Sequence, residues 1–230
     1  MKRALPWLIS AILLVAFGAS FSELQRVRKR FGEATTSIHY HVHADVRRAI
    51  IAQQLTRVEV PIVVVGDSLI EAATFPSAIC GRPVVNAGIG GAKLADFRST
   101  GLGFLSGTHP ALIVIALGMN DALGGSETFE SDLVQLLKQI RQISQNVAAF
   151  GISEAESGPL VANSAALNNT IAKENETYAK IMGAAFTPSP SLGSRHTLDG
   201  VHLAPAAYQT WANSLFAAIE AAACPSAAIR

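Results

Sequence analysis

Residues 62–69 read Ile-Val-Val-Val-Gly-Asp-Ser-Leu. Four β-branched residues in succession suit a strand buried on both faces, and Gly-Asp-Ser is turn chemistry. A serine thus stands where a strand hands over to the next element. In open parallel α/β sheets ligands bind at the carboxyl ends of the strands, so Ser68 is either a nucleophile or part of an ordinary turn. A serine hydroxyl is a poor nucleophile unless a base takes its proton. The ends of the later strands decide between the two readings.

Short apolar runs recur at 60–65, 83–85, 111–117, 147–152 and 183–186. The second leads into Asn86-Ala87-Gly88-Ile89-Gly90-Gly91 and the third into Gly118-Met119-Asn120-Asp121. Residues 128–145 carry Phe129, Leu133, Leu136, Leu137, Ile140 and Ile143 at a period near 3.6, which predicts an amphipathic helix. A last helix is expected over 208–223. Strands alternating with helices give right-handed crossovers. The fold class is therefore α/β, a three-layer α/β/α sandwich of about five parallel strands.

Near the C-terminus the chain reads Asp199-Gly200-Val201-His202-Leu203-Ala204-Pro205. With Gly200 between them, the Asp199 carboxylate can turn back onto Nδ1 of His202 and leave Nε2 facing a strand end. That supplies a base oriented by an acid. Acyl transfer also needs donors for the developing oxyanion. The backbone N–H of Gly91, the side-chain amide of Asn120 and the backbone N–H of Ser68 are candidates. Taken singly, Gly88, Gly90 and Gly91 are equally at home as turn glycines and Asn120 as a helix cap. Occurring together, in this order and each at a strand end, they call for a common explanation.

These four blocks, GDSL at Ser68, NAGIGG ending at Gly91, GMND at Asn120 and DGVH ending at His202, resemble those of the SGNH, or GDSL-type, hydrolases. The resemblance covers about residues 60–222. It implies a flavodoxin-like SGNH-hydrolase architecture and a serine esterase. Ser68 would be the nucleophile, His202 the base and Asp199 its orienting acid, with Ser68, Gly91 and Asn120 in the oxyanion hole. No cofactor and no metal are implied. The chain departs from the pattern at Ala92, where the family often has an acidic residue. Ile70 stands where a G-x-S-x-G elbow needs its second glycine, which disfavours the α/β-hydrolase fold. The expected activity is hydrolysis of acyl esters, short-chain or acetyl, carried on a small molecule, glycan or lipid. An acyltransferase using the same site and a sugar acceptor is the alternative. A non-catalytic glycan-binding module or a flavodoxin-like phosphate-binding domain would leave the Asp199–His202 pair unexplained.

The chain has 230 residues, half of them apolar and 15% charged, enough for one domain with a full core. A net charge of +1 gives no electrostatic case for nucleic acid. Lys2 and Arg3 precede an apolar run over 4–21, a secretory pattern or a membrane anchor, and Ala16-Phe17-Gly18 offers small residues for cleavage. This segment is expected to engage a membrane or the secretion machinery and take the protein to the periplasm, the exterior or the membrane surface. The expected organisation is 1–21 signal or anchor, 22–57 helical stalk or leading helix, and 58–230 catalytic domain. His39, His41 and His43 alternate, but helical spacing splays their rings and no acidic or cysteine cluster accompanies them, so a metal site there is disfavoured. Two cysteines, Cys80 and Cys224, allow one disulfide or two thiols. The strand order 2-1-3-4-5 that the resemblance implies would put the helix expected to end at Cys80 on the same face as the last helix.

Overall fold

The computed structural model describes residues 5–224, and the side chains of all of these except 5–12, 31, 33–38 and 99–100. Lys2, Arg3 and Ala4, which open the secretory pattern, lie outside the described residues. Helix α1 spans Leu5–Leu55. Residues up to Val42 form one compact unit and those from His43 onward another. In the first unit Leu13, Leu14, Val15 and Phe17 are exposed, and the rings of Phe17 and Phe21 stack. Among the described residues no helix is long and apolar enough to cross a membrane. In the second unit Ala44, Ile51 and Leu55 of α1 are buried, so residues 43–55 are packed into it and are not a free stalk.

The second unit is built on a sheet in the order β2-β3-β1-β4-β5-β6. Strand β1 (Ile62–Gly66) lies in the middle, parallel to β3 (Arg82–Gly88) and β4 (Leu112–Ala116). Strands β5 (Val147–Phe150) and β6 (Phe186–Thr187) continue it in parallel. These five give the implied 2-1-3-4-5 order. The sixth, β2 (Ala78–Ile79), is an antiparallel edge. Its hairpin to β3 turns at Cys80 and Gly81, both with positive φ, which matches the twist of the flanking strands.

Side chains of β1 and β4 alternate between two apolar layers, as period 2 requires. On one face Ile62, Val64, Leu112 and Val114 pack with Trp211, Leu215 and Ile219 of α6 (Pro205–Ala223). Burying each such large apolar side chain contributes about 1.5–3 kcal/mol. Helix α4 (Phe129–Ile143) buries Leu133, Leu136, Leu137 and Ile140, the face that the 3.6 period marks. Helix α5 (Ser164–Met182) buries Leu167, Ile171 and Tyr178.

Two local expectations change. The segment after Ser68 is not a helix reaching Cys80. It is one turn, α2 (Ser68–Glu71), that closes at Ala72. The ring of Pro76 cannot continue a helix, and Cys80 falls in the hairpin turn instead. From there Cys80 forms a disulfide with Cys224 beyond α6, with Cα atoms 6.0 Å apart. The run 183–186 is also mostly not strand. Gly183 caps α5 with φ +55, residues Gly183–Ala185 make a 3-10 turn, and only then does β6 begin.

Candidate active site

Ser68 is the first residue of α2, directly past the end of β1. The turn is tight because Gly66 lacks a Cβ, which would lie 2.1 Å from Ile70 Cγ1. Asp67 caps the turn through Oδ1, which accepts the N–H of Leu69 at 3.0 Å. Burial pushes the Asp67 carboxyl up to about 6, against the lowering effect of that bond. Strand β3 ends equally close to α2: a Cβ on Gly88 would lie 2.2 Å from Glu71 N. Asn86, inside β3, sends Nδ2 to Ile70 O and Ala73 O at 2.7 and 3.0 Å. The second block therefore holds the first in place.

The third block stands beside the second. Asn120 lies on α3 (Met119–Leu123), which follows Gly118 with φ +132. Asn120 Nδ2 donates to Ala92 O at 3.0 Å, and Asp121 Oδ2 accepts Leu94 N–H at 3.1 Å. Both bonds tie α3 to the loop after Gly91. Burial raises the Asp121 carboxyl to about 6. Below it Tyr178 Oη donates to Leu117 O at 3.1 Å.

The loop before α6 carries Asp199 and His202. Asp199 Oδ1 accepts the N–H groups of Val201 and His202 at 3.0 and 2.8 Å, and Oδ2 lies 2.7 Å from His202 Nδ1. Burial acts to raise Asp199, but these bonds, led by the His202 side chain, hold its carboxyl below the usual range. An ionised carboxylate only accepts, so Nδ1 carries a proton, and in the neutral ring Nε2 is then the acceptor. Nε2 is 3.0 Å from Ser68 Oγ, and the hydroxyl donates to it. Ser68, His202 and Asp199, 134 and 3 residues apart in sequence, form one continuous hydrogen-bonded chain. It is open to solvent, with the His202 side chain 43% exposed.

Of the three glycines in the second block, only Gly91 keeps a free donor. Gly88 N–H goes to Asn86 Oδ1 at 2.9 Å and Gly90 N–H to Glu71 Oε2 at 2.5 Å. Ala92 N–H closes a turn onto Ile89 O, in which Gly91 takes φ +79, a conformation natural to glycine. Among the described residues the N–H groups of Gly91 and Ser68 have no acceptor, and Asn120 has one amide hydrogen left.

Sequence reasoning missed the residues that hold these loops. Glu156 accepts from Thr197 N–H and Thr197 Oγ1 at 2.8 and 2.9 Å. His196 is buried, with Nδ1 2.6 Å from Gly193 O and Nε2 2.9 Å from Glu154 O. Glu71, paired with His43 and Arg47 of α1, holds the second block. Glu71 alone left a trace: three residues after Ser68, it shares a face of any helix starting there. Among the described residues no cluster of His, Cys, Asp and Glu could hold a metal ion.

The sequence matches the GDSL-like lipase/acylhydrolase family over residues 64–210, which includes all four blocks. The chain belongs to this family. This GDSL-type acylhydrolase is an enzyme of ester hydrolysis. No curated protein matches it. Solved structures share its fold. One is a protein from Streptococcus pneumonia provisionally named a platelet activating factor, 18% identical over 80% of this chain and 96% of that one, with TM-score 0.63. Another, from Bacteroides fragilis, is provisionally named an acylhydrolase, with 25% identity, coverage of 73% and 93%, and TM-score 0.55. A third is a variant of Axe2, an acetyl-xylooligosaccharide esterase from Geobacillus stearothermophilus, with 15% identity, coverage of 69% and 93%, and TM-score 0.53.

Proposed function

We propose that this acylhydrolase cleaves esters of small acyl groups through an acyl-enzyme on Ser68. The observation that carries the reading is the Ser68 Oγ to His202 Nε2 contact of 3.0 Å, backed by Asp199 on Nδ1 at 2.7 Å. Ser68 Oγ attacks the ester carbonyl carbon as its proton passes to His202 Nε2, and Asp199 stabilises the imidazolium that forms. The carbonyl oxygen, now an oxyanion, takes hydrogen bonds from Gly91 N–H, Ser68 N–H and the Asn120 amide. On collapse the leaving alkoxide takes the proton from His202. Water then attacks the acyl group with His202 as base, releasing the acid and restoring Ser68.

The openness of the triad favours hydrolysis over transfer to a sugar, since transfer needs water kept out of the acyl-enzyme. The connection between α3 and α4, residues 124–128, is short and leaves little material there for a lid over a long acyl chain. This supports acetyl or another short acyl group, carried on a glycan or small molecule. Export to the periplasm or exterior, or attachment at a membrane surface by residues 4–21, fits the basic, apolar and charged order of the N-terminus and the paired Cys80 and Cys224.

The test is hydrolysis of p-nitrophenyl acetate by the protein and by Ser68→Ala, followed by a screen of acetylated glycans, longer-chain esters and lysophospholipids. Activity lost in the variant and falling with acyl length supports the reading. Full activity in Ser68→Ala, or a preference for long chains, overturns it. Fractionation with N-terminal sequencing tests export, which an intact Met1 on a cytoplasmic protein would refute.

A further inference from the structure

Glu71 lies one helical turn after Ser68 and its carboxylate is committed three ways. Oε2 accepts Gly90 N–H at 2.5 Å and His43 Nε2–H at 2.9 Å, and Oε1 lies 3.2 Å from Arg47 Nε. Arg47 also reaches the main chain, donating from Nε and Nη2 to Gly88 O at 3.1 and 3.0 Å. The remaining groups of this loop are fixed by backbone: Ile89 N–H by Gly66 O at 3.0 Å and Ala92 N–H by Ile89 O at 3.1 Å. Every bond thus surrounds Gly91 and leaves its own N–H unspent. The loop also runs against the nucleophile, since a Cβ on Gly90 would lie 3.1 Å from Glu71 Oε2 and 3.8 Å from Ser68 Cβ.

We propose that His43, Arg47 and Glu71 are positioning residues that set the direction of the Gly91 N–H, so that α1 completes the esterase site. The proposal rests on the acyl-enzyme reading above. An ion pair that served stability alone would have no reason to spend its donors and acceptors on Gly88 O and Gly90 N–H, the main-chain groups just before the oxyanion donor. The Arg47 and Glu71 side chains are only 17% and 23% exposed, so solvent screens them less than a surface pair. Misplacing one donor by about 1 Å costs a site of this kind about 10²-fold in rate. Neither α1 residue touches the reacting atoms.

The experiment compares Glu71→Gln, Arg47→Met, Arg47→Lys and Ser68→Ala in the full chain, reading kcat and KM for p-nitrophenyl acetate across pH, with a thermal melt of each. Glu71→Gln and Arg47→Met should lower kcat by about 10²-fold with KM nearly unchanged. Arg47→Lys, which can still reach one of the two acceptors, should recover part of the loss. The pH limb of the base should not move, because the Asp199–His202 pair is untouched. Wild-type kcat in the folded variants overturns the proposal, as does a loss accompanied by a moved pH limb. If Glu71→Gln does not fold, Arg47→Met and the more exposed His43→Ala decide on the same criteria. An active Ser68→Ala sinks the acyl-enzyme reading itself. An inactive Ser68→Ala beside a fully active Arg47→Met sinks the clamp alone.

Discussion

Tyr208 Oη donates to Leu69 O at 2.6 Å, so the last helix is pinned to the one-turn helix that presents Ser68. Leu69 O has this bond in place of a helical one, because Ala73 N–H turns to Ile70 O. Burial pushes the Tyr208 phenol up to about 12, with the nearby Asp67 charge adding to it, so the bond persists through ordinary pH. Tyr208→Phe should destabilise the fold by about 1 kcal/mol and lower kcat severalfold. Denaturant unfolding and ester kinetics would check this. An unchanged kcat in a measurably less stable variant would confine the bond to stability.

In the proposed mechanism Ser68 and His202, 3.0 Å apart, act as a unit. Ser68→Ala and His202→Ala should each reduce kcat by about four to six orders of magnitude, and the double variant should be little worse than either. A fluorophosphonate probe should label Ser68 alone. Multiplicative losses would mean that His202 does not work through the serine.

Asn120→Ala removes the proposed oxyanion donor and the bond to Ala92 O. It should lower kcat by about 10²–10³-fold with a modest change in KM. A raised KM at constant kcat would mean that Asn120 binds substrate and transition state alike. The same substitution should leave the rate of His202 modification at low reagent concentration unaltered, since no bond joins the two residues.

Glu174 on α5 is 4% exposed, and neither carboxylate oxygen has a partner among the described residues. Burial, with the Asp121 charge next, raises its carboxyl from 4.5 to about 8. A folded-state value above the unfolded one means that its contribution is fully present below about pH 4.5 and is lost as pH rises through about 8. Glu174→Gln, an uncharged isostere, should therefore melt close to the parent at pH 5. At pH 9 it should be the more stable by about 2 kcal/mol or more. Melts over this pH range would show the gap opening, and a constant gap would refute the assignment.

The Cys80–Cys224 bond closes a long loop. Its loss should destabilise the protein by about 2–5 kcal/mol. Cys80→Ala and Cys224→Ala should cost equal amounts, and the double variant no more than either. Additive losses in oxidised protein would show that the two thiols are not joined.

Strands β1 and β4 were legible because both faces are buried, so nothing polar interrupts their runs. Strand β3 was recognised only in part, because polar Asn86 lies within it and turns its side chain under α2. Helix α5 was not read from the sequence, because a charged residue, Glu174, occupies its buried stripe. The four blocks could be read because each is local: Asp199 and His202 meet within one loop, and Gly91 and Asn120 follow a few residues after their own strands, β3 and β4. The clamp could not be read. His43 and Arg47 stand 28 and 41 residues from the groups they bind, in a helix whose sequence reads as a charged stalk, and only the packing of Ala44, Ile51 and Leu55 turns them inward.

The disulfide has a topological result. Residues 80–224 form a covalent ring that carries Gly91, Asn120, Asp199 and His202, while Ser68, Glu71 and Arg47 sit on the open strand leading into it. A protease that nicks any loop within the ring leaves a single molecule, visible as two pieces only after reduction. A nick in the coil between α2 and β2, at residues 72–77, leaves Ser68 and His202 on two chains that no covalent bond joins, so they separate on denaturation without reduction. Two cuts of equal size on the same enzyme would thus differ completely on a non-reducing gel.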